Sequence, residues 1–245
     1  MKLKIFILLI TCFIALSSCH RVSKVEAYRA EKHQQDSIAL IEQQKSLDYY
    51  QHQFDLLAPR VDSLLALFKY EKNERYLDKG HYYHPSQSSS RNAQRSYLQT
   101  IVQDDGQVIV RCFYYGSHPV RHPNIVLRAQ EMELVLHGDT HSFEAEGWHQ
   151  ITTIDDSTAL QALRFIDAYS QERIQVRYAS ETQSGTVFYL SDADKKALLQ
   201  SYDLSIAMRD TKELEKRIRI TSLQIEKYQK RLQKRGAARK LEREC

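Results

Sequence analysis

The sequence predicts an α+β fold in which long N- and C-terminal helices form an antiparallel coiled-coil stalk flanking a small β-rich head domain with one short helix. Three observations predict it. In the first block Leu40, Leu47, Tyr50, Phe54, Leu57, Val61, Leu64 and Phe68 recur at three- and four-residue spacing, the seam of a helix pair. In the last block Leu204, Ala207, Thr211, Leu214, Ile218, Thr221, Ile225, Tyr228 and Leu232 do the same. Between them the period changes to short β-branched and aromatic runs.

Each element follows from local chemistry. The first helix covers about Val22 to Tyr76, and Pro59 inside it predicts a kink or two helices in tandem, because proline removes a backbone donor and clashes with the preceding turn; the stripe keeps its register across Pro59, which favours the kink. His81 to Asn92 carries Ser86-Gln87-Ser88-Ser89-Ser90 and reads as a polar, flexible linker. The head opens with Tyr97–Val102. Asp105-Gly106 turns the chain, and Val108–Tyr115 completes a hairpin. Runs at Ile125–Ala129, Met132–His137, Trp148–Ile154, Ile174–Tyr178 and Thr186–Leu190 supply further strands. Asp155-Asp156-Ser157 caps a short helix whose apolar face is Leu160, Leu163, Phe165, Ile166 and Tyr169. Ser191-Asp192-Ala193-Asp194 resembles a capping box and opens the last helix. The two end blocks are of similar length, each about 65–70 Å at 1.5 Å per residue, so an antiparallel pair is the economical arrangement. The expected domains are 1–18, a leader; 19–80, an anchored helical segment; 81–95, the linker; 96–190, the head; and 191–245, the C-terminal helix with a basic tail.

The leader has its own logic. Lys2 and Lys4 precede an apolar run from Ile5 to Leu16, which is shorter than the roughly 20 apolar residues that a membrane span needs. It suits the apolar core of a cleaved export signal. Leu16-Ser17-Ser18-Cys19 then resembles the lipobox of bacterial lipoproteins. That resemblance implies cleavage before Cys19, export by the general secretion route, and diacylglycerol with palmitate-type acylation on Cys19. An ordinary secretory signal or an uncleaved anchor are the alternatives. His20, Arg21 and Lys24 follow the cysteine instead of acidic residues, and by the same resemblance this implies the outer membrane, facing the periplasm.

The composition fits exposed helices better than one compact globule: 245 residues hold 7 Gly, 4 Pro and 1 Trp. The net charge of +4 includes the two leader lysines. A local basic patch follows near the end, at Lys227, Lys230, Arg231, Lys234, Arg235, Arg239, Lys240 and Arg243. On a returning helix it would lie near the membrane surface and meet anionic head groups. Nucleic acid is the usual partner of such a tail but is not expected for an exported protein.

Catalytic signatures are missing. The sequence has no Gly-x-Ser-x-Gly, phosphate-binding loop or dinucleotide fingerprint, so no enzyme activity and no cofactor is expected. Cys112 lies in an apolar strand and reads as an inert core thiol. For a metal, His118, His122, His137, His141 and His149 are the candidates. Their four-residue spacings fall in strand ends and loops, where they do not converge as they would on a helix, so surface histidines are the simpler reading. Outward tyrosines of the head would stack on a sugar, bind a peptide or receive a helix. The reading is therefore a lipid-anchored envelope protein with an interaction or structural role, its head presenting a binding surface. The expected partners are the membrane through Cys19, an envelope protein, and a further copy through the coiled coil. The alternatives are a glycan- or peptide-binding lipoprotein or a periplasmic metal-binding protein.

Overall fold

The computed structural model describes residues 2–72, 80–88, 94–121, 123–145, 147–180 and 186–244, with side chains outside the description at 2–23, 145, 179 and 238–244. The side chains of the leader, including Cys19, thus lie outside the described residues. Three helices and ten strands are present among those described: α1 (Lys2–Leu65), β1 (Lys69–Glu71), β2 (His81–Tyr83), β3 (Tyr97–Gln103), β4 (Val108–Gly116), β5 (Asn124–Ala129), β6 (Met132–Leu136), β7 (Asp139–Ala145), β8 (Gly147–Ile154), α2 (Asp156–Ala168), β9 (Gln175–Ala179), β10 (Val187–Tyr189) and α3 (Asp192–Glu244). The chain divides into two compact units, 54–213 and 1–53 with 214–245.

The larger unit holds two antiparallel sheets, one ordered β1-β2-β3-β4-β8-β7 and the other β10-β9-β5-β6. Alternation decides their inner faces. From the first sheet Leu98, Val102, Val108, Val110, Cys112 and Ile154 point inward; from the second, Ile125, Leu127, Leu136, Val176 and Tyr178 do so. Ala159, Leu163 and Ile166 of α2 close the core. The α2 N-cap is Asp155, whose carboxylate accepts from Thr158 N at 3.3 Å. At the start of α3 the capping box forms as expected, with Ser191 Oγ accepting from Asp194 N and Asp194 Oδ2 accepting from Ser191 N.

The predicted coiled-coil stalk is overturned. Leu198, Leu204 and Met208 of α3 belong to the same buried core as the sheets, and Val61, Leu64 and Leu65 of α1 pack against it. The end of α1 and the first turns of α3 are therefore structural members of the α+β unit and do not flank a separate small head. The seven expected seam residues within α1, and Phe68 just after it, are all only half-buried, while Ile38, Ile41 and Tyr49 stand exposed elsewhere on the helix. The physical reason is that an apolar stripe specifies a covered face but not what covers it. On α3 the stripe is spent first on the sheets.

Locally, the helix α1 continues through Pro59 as one element, which sets aside two helices in tandem there, and one expectation changes. The stretch read as a linker carries β2, which pairs with β1 and β3, and a 3-10 turn at Pro85–Gln87. Gln87 is buried there: its side-chain oxygen accepts from Thr100 N, and Thr100 Oγ1, with one proton to give, lies 3.0 Å from that oxygen and 2.6 Å from Ser201 Oγ of α3. In the smaller unit, Arg235 Nη1 lies 2.7 Å from Asp36 Oδ2, off the direction a hydrogen bond prefers, so charge holds that pair. Arg217 lies over the ring of Tyr50 at 5.6 Å.

Membership of α3 in the core is testable. Leu204 is fully buried, and truncating such a side chain costs about 2–5 kcal/mol. Leu204→Ala should lower the unfolding free energy of the whole α+β domain, read from urea titration, by that amount in a single transition. An unfolding free energy within about 0.5 kcal/mol of the parent, the range of ordinary surface substitutions, would show that α3 lies outside the core.

Candidate functional site

The chain passes between the sheets twice in its middle: from β4 to β5 through residues 117–123, and from β6 to β7 through His137-Gly138. The two crossovers border a cavity of about 540 Å3, floored by β7 and β8. Hydrogen bonds fix its walls. The buried carboxamide of Gln150 clasps the first crossover, with Oε1 accepting from Val120 N at 2.8 Å and Nε2 donating to Val120 O at 2.9 Å. The same Nε2 donates to Ser142 Oγ at 2.9 Å. Tyr114 Oη donates to the His118 carbonyl at 2.8 Å. One crossover is tied to the other by His137 Nδ1 and Asn124 Oδ1, 2.9 Å apart. Gly138 is required for close approach, since a Cβ there would fall 2.3 Å from the Thr153 carbonyl oxygen.

The cleft is polar. Arg121, His137 and Asp139 stand exposed at its lining, and Thr140, Ser142 and Gln150 supply hydroxyl and amide groups. From its floor a hydroxyl chain runs into the core: Thr140 Oγ1 to Thr152 Oγ1 at 2.8 Å, and Thr152 Oγ1 to Tyr178 Oη at 2.8 Å. This set can donate and accept hydrogen bonds to a polar ligand and carries both charge signs. Burial pushes the Tyr178 hydroxyl up to about 12, and does the same to Tyr97.

The other face of the first sheet is aromatic. Tyr115, His149 and Phe143 form a row across β4, β8 and β7, with ring centroids 5.0 and 5.1 Å apart, and Phe143 is 50% exposed. Tyr97 stacks on Phe113 at 4.5 Å. Tyr114 and Tyr178 point the other way and stack on each other inside. The strand β7 therefore serves both sides: Thr140 and Ser142 line the cleft, and Phe143 joins the aromatic row.

The predicted metal candidates scatter. His118 is exposed on the first crossover, His137 lies in the cleft, and His141 is exposed on β7 opposite Ile151. His149 is held between rings, and His122 lies outside the described residues. Among the described residues no group of three His, Cys, Asp or Glu could hold a metal ion. Cys112 is a free, fully buried thiol whose pKa burial pushes up, the opposite of an activated nucleophile. In the basic patch, Arg235 is committed to Asp36, Lys230 pairs with Glu226 at 3.6 Å, and Arg231 lies over Tyr228. Lys227 and Lys234 are exposed; the side chains of Arg239, Lys240 and Arg243 lie outside the described residues.

No family model, curated protein or solved structure matches this chain. Sequence reasoning did not find the cleft. Its one legible signal was Pro119 and Pro123 bracketing a short crossover, whereas Gln150 reads as an ordinary polar residue of a strand.

The raised tyrosines set a pH dependence. Unfolded, each hydroxyl titrates near 10, so the folded state holds the proton more tightly. Their contribution is complete below pH 10 and is lost as pH rises from about 10 to 12, up to about 2–3 kcal/mol for each. Urea midpoints measured across that range should fall, and Tyr178→Phe should flatten the fall. An unchanged slope in the variant would mean that Tyr178 titrates normally.

Proposed function

We propose that this chain is an exported, lipid-anchored protein of the bacterial cell envelope whose α+β domain is a binding module. The observation that carries the binding role is the cleft between the sheet crossovers. Exposed Arg121 and Asp139, of opposite charge, line it together with His137 above a floor of hydroxyls and amides. A polar recess clasped by buried hydrogen bonds is pre-organised, which lowers the entropy cost of binding. The anchor rests on the leader, with its basic start, short apolar run and Leu16-Ser17-Ser18-Cys19. Among the described residues no helix is long and apolar enough to cross a membrane. A location in the outer membrane facing the periplasm is in keeping with His20 and Arg21 after the cysteine. The exposed Lys227 and Lys234 would add a weak attraction to an anionic surface.

One observation favours a narrower reading as a glycan or peptide binder. Phe143 is half exposed at the end of a row of rings, the kind of surface on which sugars and apolar peptide side chains stack.

Membrane fractionation and site-directed photo-cross-linking test the two halves separately. Wild type should sediment with the envelope membranes and Cys19→Ala should be soluble; equal membrane retention would overturn the anchor. A photoreactive residue at 137, in the cleft, should give a discrete covalent adduct in native envelopes, whereas one at the exposed Ser157 of α2 should not. Charge removal by Asp139→Ala should weaken the adduct. The same pattern from 137 and 157 would overturn the cleft as the binding site.

A further inference from the structure

Among the described residues, four strands end the two sheets: β1 and β7 in one, β10 and β6 in the other. A free edge is a row of unsatisfied backbone donors and acceptors, and proteins blunt it with brevity, charge, proline or a covering element. Three of these edges are so treated. The first, β1, has three residues, two of them charged, and β10 also has three. The edge β6 lies against α2. The fourth, β7, is longer. Its seven residues, Asp-Thr-His-Ser-Phe-Glu-Ala, hold two carboxylates and no proline, lysine or arginine. On its inner side it pairs with β8 along its whole length, from Asp139↔Thr153 to Ala145↔Gly147. No backbone hydrogen bond from its other side to a described residue is present.

We propose that this edge is an interface, and that its occupant is β7 of a second copy of the chain, paired antiparallel about a two-fold axis at Ser142. The strand is its own best complement. An antiparallel partner places directly opposite side chains on one face. With Ser142 facing Ser142, all seven residues pair: Asp139 with Ala145, Thr140 with Glu144, and His141 with Phe143, each twice. Both charged residues then oppose neutral ones. On the aromatic side, the row Tyr115–His149–Phe143 continues onto His141 of the second copy. The strand pair β7–β8 already contains that contact, with Phe143 and His149 stacked at 5.1 Å and 4° between planes. Sliding the register by two residues in either direction keeps the faces matched but drops two residues from the pairing. One slide sets Phe143 against Asp139; the other sets Phe143 against itself and Ser142 against Glu144. The register centred on Ser142 is therefore the one that satisfies most backbone groups, and it also extends the ring row. It joins two six-stranded sheets into one continuous sheet and leaves the crossovers of the cleft at its two shoulders.

The test uses the full mature chain with Cys19→Ala, which removes the lipid site, and Cys245→Ser, which leaves the buried Cys112 as the only native thiol. By sedimentation this parent should be a dimer. Ser142→Lys sets like charges directly opposite each other at the axis and should weaken association by about tenfold or more, as should Ser142→Asp. Mixing the two variants should restore the dimer, because only a two-fold at this residue makes position 142 its own partner. In the same background Ser142→Cys should oxidise to a covalent dimer at least about tenfold faster than Ser157→Cys on the exposed face of α2, since paired strands bring Cα atoms within disulfide reach. A parent that is monomeric up to its solubility limit would overturn the proposal. So would a dimer that neither variant weakens, or Ser142→Cys oxidising no faster than Ser157→Cys. Circular dichroism of the charge variants, expected to match the parent, separates lost association from lost folding, and the cysteine comparison stands independently of both.

Discussion

The structure depends on the way one turn is held against one helix. Between β3 and β4 the chain reverses at Gly106, whose φ of +83° is open to glycine at no steric cost and disfavoured for other residues. Its carbonyl accepts from Ser205 Oγ at 2.6 Å and Arg209 Nε at 2.9 Å, both on α3. Arg209 also reaches the carboxylate of Asp156 in the first turn of α2, and that carboxylate accepts from Val108 N at 2.8 Å. A Cβ on Gly106 would approach Arg209 Cγ to 2.9 Å. One hairpin tip, the start of one helix and the middle of another are thus fastened through a few charge-assisted bonds. Such bonds are worth roughly twice a neutral one, and they orient α3 so that Leu198, Leu204 and Met208 enter the core.

The same fastening explains why the long helices were misread. A three-four repeat of apolar residues states that one face of a helix is covered, and it is the same whether a helix or a sheet does the covering. Leu204 and Ala207 were legible as covered positions, and both are buried. That their partner is the pair of sheets rests on Ser201, Ser205 and Arg209. These polar residues carry no periodic signal and acquire meaning only opposite Thr100 and Gly106. The Asp105-Gly106 hairpin, the α2 cap and the Ser191–Asp194 capping box were legible because their chemistry is local. The strands β1 and β2 are too short to show a pattern, and β7 is hidden by its polarity: Thr140, Ser142 and Glu144 on one face do not alternate with enough apolar residues to mark a half-buried strand.

The cleft was beyond reach for a related reason. It is a product of topology, formed where the chain leaves one sheet for the other and returns. Its decisive residue, Gln150, serves by bonding a backbone segment thirty positions away. That β7 borders both the cleft and the aromatic row means that one strand, polar on one face and aromatic on the other, connects the two surfaces on which the proposed binding role rests. The fold thus keeps its rigidity in the hairpin and helices and places chemical variety on the sheet crossovers and the edge beside them.

The central claim is that residues 197–208 of α3 are part of the same cooperative unit as the sheets. Native-state hydrogen exchange measures this most directly, because it resolves the free energy of opening along the chain. Amides of Ala197–Met208 should exchange with the same opening free energy and the same denaturant dependence as those of β3 and β4. If α3 exchanges through a local opening while the strands remain protected, the helix is an appendage and the account is wrong.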